Sequence, residues 1–168
     1  MPVNLELKVK LNSFNPIKKT LLELNARYSG ILNQTDIYYK ITGGLLKLRI
    51  ENGVQSIIKY KRDEKSSNRF SNYHILELSS GDARKFFKDV LEIEAVVIKK
   101  RYLYIYDNTR IHLDNVKGLG YFLELESLVI NGKAEAKKRF NTICCALMLG
   151  KYNEIRKSYR DMVMSRIK

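Results

Sequence analysis

The sequence predicts an α+β fold in which a closed antiparallel β-barrel of about eight strands carries its helices on the outside. Three observations lead there. Short stretches alternate charged and aliphatic residues with the two-residue period of a strand. Turn dipeptides such as Gly43-Gly44 and Asn52-Gly53 join neighbouring stretches as hairpins. Along the strand order, carboxylates sit at the two ends of the chain's strand set, with Glu77 a single addition, whereas Lys and Arg recur in between. Closing such a sheet brings its first and last strands together around a bore with room for one small ligand.

The first strand, residues 4–11, places Asn4, Glu6, Lys8 and Lys10 on one face and Leu5, Leu7, Val9 and Leu11 on the other. Asn12 to Pro16 reads as a turn and helix start, with Pro16 suited to a first helical turn, and a stripe of Ile17, Leu21, Leu22 and Leu24 extends the helix to about Tyr28. Strands follow at residues 36–41, 45–51 and 54–61, then a polar loop at 62–71 and a strand at 72–78. Ser80-Gly81-Asp82 opens a second helix that runs to about Leu91. Strands at 95–106, 109–114 and 121–130 complete the sheet, and the Lys/Arg-rich final third is helical. Neither a linker nor a repeat interrupts the chain, so residues 1–168 are expected to form one domain.

With 31 Lys and Arg against 18 Asp and Glu, the chain carries a formal charge of +13 and calls for an anionic partner. The positive charges form neither a basic tail nor a helical stripe. They alternate along strands, which favours a basic cavity over a nucleic-acid surface, so no nucleic-acid partner is expected. No apolar stretch reaches transmembrane length, and the N-terminus leads straight into a charged strand; no membrane partner and a cytoplasmic location are expected. Cys144 and Cys145, adjacent in an apolar helical run, read as buried free thiols rather than a zinc site.

The charged faces point inward by a simple energetic argument. An unpaired buried charge costs several kcal/mol even after relaxation, so these faces meet water or a ligand. Barrel closure would set Glu6 beside Glu124 and Glu126, and three carboxylates held together need a cation. All-oxygen ligands suit Mg²⁺ or Mn²⁺.

In their order along nearly the whole chain, these segments resemble the CYTH superfamily, the triphosphate tunnel metalloenzymes, which includes class IV adenylate cyclases and thiamine triphosphatases. Asn4, Glu6 and Lys8 align with the family's opening Glu-x-Glu-x-Lys strand, with Asn4 in place of the first Glu. Gln34-Thr35-Asp36-Ile37-Tyr38-Tyr39 resembles its Gln-x-Asp-x-Tyr-Phe segment, and Lys47-Leu48-Arg49 before Asn52-Gly53 its paired basic residues. Tyr60-Lys61, Lys99-Lys100-Arg101 and Arg110-Ile111-His112-Leu113-Asp114 resemble the later basic strands. Val116 to Glu126 and Ser158-Tyr159-Arg160-Asp161 are similar to the class IV cyclase branch.

The resemblance implies a metal-dependent enzyme that processes a triphosphate in the tunnel. The cyclase branch points to conversion of ATP to cyclic AMP and pyrophosphate. Hydrolysis of thiamine triphosphate or inorganic triphosphate is the first alternative, and a non-catalytic triphosphate- or nucleotide-binding module, suggested by Asn4, the second. Glu6 and Lys8 are the candidate catalytic residues, and Glu6, Glu124 and Glu126 the candidate metal ligands. Asp114 is either a further ligand or a carboxylate that orients Arg110. Lys8, Arg49, Lys61, Arg101 and Arg110 are expected to contact phosphates, as are Lys10, Lys47, Lys59 and Lys99, which share those faces and would lie toward the tunnel mouth. His112 shares the polar face of its strand and reads as a histidine hydrogen-bonded within the wall, with a tunnel contact as the alternative; His74 reads as outward. Tyr102, Tyr104 and Tyr106 share a face and read as a wall packed beneath a helix. Tunnel proteins of this type often pair, so a homodimer is among the expected assemblies.

Overall fold

The computed structural model describes residues 3–62 and 70–167, and within them the side chains other than those of residues 61, 62, 70–72 and 167. Eight strands form a closed antiparallel barrel. They are β1 (Val3–Leu11), β2 (Arg27–Tyr39), β3 (Leu45–Glu51), β4 (Val54–Arg62), β5 (Phe70–Leu78), β6 (Ile93–Tyr106), β7 (Thr109–Val116) and β8 (Gly120–Leu128). The order around the ring is β1-β5-β4-β3-β2-β6-β7-β8 and back to β1. First and last strands pair in full, from Asn4 opposite Leu128 to Leu11 opposite Tyr121. The other side of β1 meets β5 in a short ladder, Val3–Asn72, Asn4–Ser71 and Leu5–Phe70.

Local chemistry explains where these elements begin and end. Helix α1 (Asn15–Glu23) has Pro16 in its first turn and buries Ile17 and Leu21. It stops five residues before the expected end, because Asn25 takes a left-handed φ of 54° and the Ala26 N–H returns to the Leu21 carbonyl. The chain then enters β2 at Arg27, so residues 27–35, expected as helix end and loop, are strand. The polar run Asn33-Gln34-Thr35 hides this in the sequence, as does a bulge at Gly30 (φ 113°) that shifts the register against β6. Asn52 and Gly53 both have positive φ, 47° and 89°, as a two-residue hairpin between right-twisted strands requires. Helix α2 (Ala83–Val90) is capped by Asp82, whose Oδ1 accepts from the Lys85 N–H at 3.0 Å. Helices α3 (Lys133–Ala146) and α4 (Tyr159–Ile167) follow the barrel. The expected loop at 62–71 lies mostly outside the described residues; β5 begins at Phe70.

The hydrophobic core lies largely outside the barrel wall. Val9 and Leu11 of β1, Ile111 and Leu113 of β7, and Leu123 and Leu125 of β8 pack against Ile17 and Leu21 of α1 and Ile143 of α3, with Tyr102, Tyr104 and Tyr106 at the margin. The tyrosines are thus a wall beneath helices, as the sequence suggests. A second outer cluster joins Ile37, Tyr39 and Leu48 to Ala83 of α2. The third cluster, Tyr38, Val97, Val116 and Phe122, meets Tyr159 of α4. Cys144 is half-buried but Cys145 is exposed, so the second thiol is not the core residue expected of it. Among the described residues no helix is long and apolar enough to cross a membrane.

Candidate active site

The bore of the barrel holds a cavity of about 380 Å³. Two clusters of charge face it, and ladder register creates both.

The first is centred on Asp36 of β2, which is completely buried. Its neighbour across the β2–β3 ladder is Arg49, with Lys47 two residues further along β3, and Lys99 reaches it from β6. Arg49 binds it bidentately, Nε to Oδ1 at 2.7 Å and Nη2 to Oδ2 at 2.8 Å. Lys47 and Lys99 donate to Oδ2 at 3.0 and 2.9 Å. Burial alone would raise the Asp36 pKa, but Arg49, Lys47 and Lys99 together outweigh it and hold the carboxyl well below the usual range. Three cations around one carboxylate leave an excess of positive charge. Burial, reinforced by Arg49, brings Lys47 down to about 7 despite the pull of Asp36.

The second cluster straddles β1, β7 and β8. Glu6 lies opposite Glu126 and Lys8 opposite Glu124 across the β1–β8 ladder, while Arg110 and His112 lie opposite the same two glutamates on the β7 side. Glu124 accepts from Arg101 Nη2 at 2.6 Å and pairs with Lys8 Nζ at 3.1 Å. Glu126 pairs with Arg110 Nη2 at 2.8 Å. Burial pushes the Glu126 pKa up, and His112, Arg110 and Arg101 more than reverse it, leaving it at about 2. The His112 imidazole, driven down to about 4 by burial and by Arg101, is neutral at physiological pH. Its Nδ1 finds no hydrogen-bond partner among the described residues and lies 3.7 Å from Glu126 Oε1.

Asp114 sits behind this cluster. It is fully buried, faces Arg101 in the β6–β7 ladder and binds it bidentately at 2.6 and 2.6 Å, while the Tyr159 hydroxyl donates to it at 2.9 Å. Between the two roles left open for Asp114, the geometry favours orientation, but the residue it orients is Arg101. Arg110 faces Glu126 instead, because the β7–β8 register puts those two directly opposite.

The other expected site residues divide clearly. Glu6, Lys8, Lys47, Arg49, Lys99, Arg101, Arg110, Glu124 and Glu126 line the cavity. Lys47 and Lys99, expected toward the mouth, are buried against Asp36. Lys10 is exposed and outside the cavity lining, donating to the Leu119 carbonyl at 3.2 Å. Lys59 is a correction: it is exposed on the outer face, because Lys47 pairs with Ile58 and thereby sends Ile58 and Tyr60 of β4 inward. Lys61 pairs with Asn72 through its backbone, and its side chain lies outside the described residues. His74, opposite Lys59 on β5, is exposed as expected. Asn4 is buried in the cavity wall, 2 % exposed, and its Oδ1 lacks a hydrogen-bond partner among the described residues.

Sequence reasoning missed two contributors. Asp36 appears in the sequence only as part of a strand segment; its inward parity with Gln34 and Tyr38 was the available signal. Tyr159 was visible only as part of a C-terminal helix, yet it lines the cavity and its ring lies 4.0 Å from Lys8 Nζ. Burial raises its hydroxyl pKa well above the ordinary value, so it stays a donor to Asp114.

An eight-stranded barrel with most of its core outside the wall and its charges in the bore is a tunnel fold. The model of the CYTH domain family matches residues 3–159, and the chain belongs to that family. A Methanocaldococcus jannaschii protein provisionally named an adenylate cyclase is 30% identical over 172 residues, covering 95% of this chain and 98% of its own. Among solved structures, the PH1012 protein of Pyrococcus horikoshii is 26% identical with a TM-score of 0.84, covering 95% of this chain and 99% of that one. A Hippeastrum protein, provisionally an adenylyl cyclase and described as having a dominant triphosphatase activity, superposes with a TM-score of 0.70. It covers 100% of this chain and 97% of that one but is only 11% identical, a likeness of fold alone.

Among the described residues, His112, Glu124 and Glu126 form a group able to hold a metal ion: one ligand atom from each lies within 4.8 Å of the others. The unpartnered Nδ1 of His112 is the observation that a divalent ion fits here. A buried nitrogen without a partner costs roughly 1–3 kcal/mol, and a cation removes that cost.

Proposed function

We propose that this protein is a metal-dependent enzyme that acts on a triphosphate held in the bore, of the class IV adenylate cyclase type, converting ATP to cyclic AMP and pyrophosphate. The observation that carries the reading is the pairing of the two clusters. Lys47, Arg49 and Lys99 are fixed by one buried carboxylate with positive charge to spare, and across the same cavity stand Glu6, Glu124 and Glu126.

The chemistry follows from placement and charge, which supply most of what phosphoryl transfer asks of a protein. Arg49, Lys47 and Lys99 offer donors to phosphate oxygens and offset charge that builds on a leaving pyrophosphate. Arg101, held flat by Asp114, and Arg110 provide planar forks on the other wall. A divalent ion, Mg²⁺ or Mn²⁺, held by Glu124 and Glu126 with Glu6 close by, would neutralise phosphate charge and polarise the phosphorus under attack. Glu6 and Lys8 occupy the β1 positions opposite Glu126 and Glu124 and are the residues proposed to act on the reacting groups.

Hydrolysis is the second reading: the same phosphate donors and ion would serve if water rather than the ribose hydroxyl were the attacking group. Asn4 favours the third reading, a triphosphate-binding module without turnover, because a side-chain amide in place of a carboxylate lowers the negative charge near the ion and cannot accept a proton. Incubation with Mg²⁺ or Mn²⁺ and, separately, ATP, thiamine triphosphate and inorganic triphosphate, followed by phosphorus NMR, separates the three. Cyclic AMP with pyrophosphate is the result expected. Orthophosphate with a diphosphate product would replace cyclase by hydrolase, and tight binding without product would leave a binding module.

A further inference from the structure

We propose that His112 is a ligand of the metal in the bore, so that the site is a mixed nitrogen–oxygen one that takes Mn²⁺ or another first-row transition ion in preference to Mg²⁺. This rests on the reading of Glu124 and Glu126 as metal ligands.

The argument starts from the ladder. His112 of β7 lies directly opposite Glu124 of β8, and Glu126 is two residues along on the same face, so the imidazole is built against both carboxylates. It is 3% exposed, lines the cavity, and its Nδ1 has no hydrogen-bond partner among the described residues. That nitrogen is aimed at Glu126 Oε1 from 3.7 Å, too far for a hydrogen bond. Ligand atoms on adjacent vertices of an octahedral ion lie about 3 Å apart at metal–ligand distances of ~2.1 Å. A small rotation of the ring or the carboxylate therefore turns the gap into a chelate edge. The neighbouring cations leave room for this. Arg110 Nη2 meets the other oxygen of Glu126, Oε2, and Arg101 Nη2 and Lys8 Nζ approach Glu124 Oε2 and Oε1, each of which keeps a lone pair.

Donor chemistry then sets metal choice. Carboxylate and water suit Mg²⁺, whereas imidazole suits the transition ions, with affinity rising from Mn²⁺ toward Cu²⁺. Asn4 acts in the same direction: an amide replaces a hard anionic oxygen on the cavity wall and makes the nitrogen a larger share of the donor set.

The test uses the full chain without nucleotide. Mn²⁺ is titrated by calorimetry in competition with Mg²⁺, and the bound ion is read by pulsed EPR for coupling to a ¹⁴N nucleus. The chain has two histidines, and His74 is exposed on the outer face of β5, so His74→Asn is the control. Wild type and His74→Asn should show the nitrogen coupling. In His112→Asn the coupling should vanish, with Mn²⁺ affinity down by roughly tenfold or more and Mg²⁺ affinity changed by less than about threefold. Glu126→Gln should weaken both ions. Mn²⁺ bound in wild type without nitrogen coupling, yet lost in Glu126→Gln, overturns the role of His112 and keeps the carboxylate site. Failure of wild type to bind either ion overturns both. Should His112→Asn not fold, the spectrum of wild type against His74→Asn decides alone.

Discussion

The two charged clusters in the bore use the same materials to opposite ends. Around Asp36, one carboxylate answers three cations, Lys47, Arg49 and Lys99, with three of the four contacts crowded on Oδ2. Around Glu124 and Glu126, two carboxylates and an imidazole share Lys8, Arg101 and Arg110, and among the described residues two buried nitrogens, His112 Nδ1 and Arg110 Nε, have no hydrogen-bond partner. The first cluster is finished as a structure and carries spare positive charge, so what it can still accept is an anion. The second is unfinished, and what it can still accept is a cation. A metal–polyphosphate complex meets both needs in one cavity.

The largest effect should come from breaking the first cluster. Asp36→Asn leaves three buried cations without their anion and should lower unfolding free energy by roughly 3–5 kcal/mol, read from urea midpoints. Inorganic triphosphate should then raise the melting temperature of the variant more than that of wild type, because it replaces the missing charge. The contribution has a defined acid limb. Asp36 titrates below its ordinary value of 3.8, so its stabilisation is complete above that pH and is lost as pH falls toward the lower folded value. Asp36→Asn should flatten that limb.

Next comes the second cluster. Glu126→Gln should reduce turnover by about 10²–10³-fold in the phosphorus NMR assay while costing little stability, since Arg110 and His112 keep a polar neighbour. Asn4→Glu adds a carboxylate to the same wall and should raise divalent-ion affinity, by on the order of tenfold in calorimetric titration.

A smaller effect tests the link between charge and anion binding. Lys47 is protonated below about pH 7 and loses its charge above it, so triphosphate affinity should fall as pH rises through that value, by at most about tenfold per pH unit. Lys47→Arg should remove the fall, since a guanidinium stays charged throughout. The least effect is expected at Lys59. Lys59→Ala, on the outer face, should leave triphosphate affinity within about twofold and stability within ~0.5 kcal/mol.

The contrast between Lys47 and Lys59 also marks how far the sequence could be read. Alternation in β1, β3, β6, β7 and β8 placed the charged faces in the bore, because the opposite face of each supplies apolar side chains to the outer core. It failed in β4, where Gln55 and Lys59 flank Ile57 on the outer face and Ile58 and Tyr60 face in. Parity there is set by pairing with β3, which no single strand reveals. That Glu6 comes beside the Glu124/Glu126 strand was legible from closure alone, although the register that sets Lys8 opposite Glu124 was not. The partners of Asp36 and Asp114 were not, since they depend on which residue of the adjacent strand falls opposite. Tyr159 was beyond reach for a related reason: how a C-terminal helix docks on a barrel is decided by tertiary packing rather than by its own pattern.

The most direct test of the account is calorimetric titration of inorganic triphosphate, with Mn²⁺ present and absent, into wild type, Arg49→Ala and Glu126→Gln. If the two clusters hold one metal–polyphosphate complex, wild type binds one triphosphate per chain. Arg49→Ala should weaken binding in both conditions, and Glu126→Gln should abolish only the increment due to Mn²⁺. Triphosphate affinity that is unchanged in Arg49→Ala, or a Mn²⁺ increment that survives in Glu126→Gln, would contradict it.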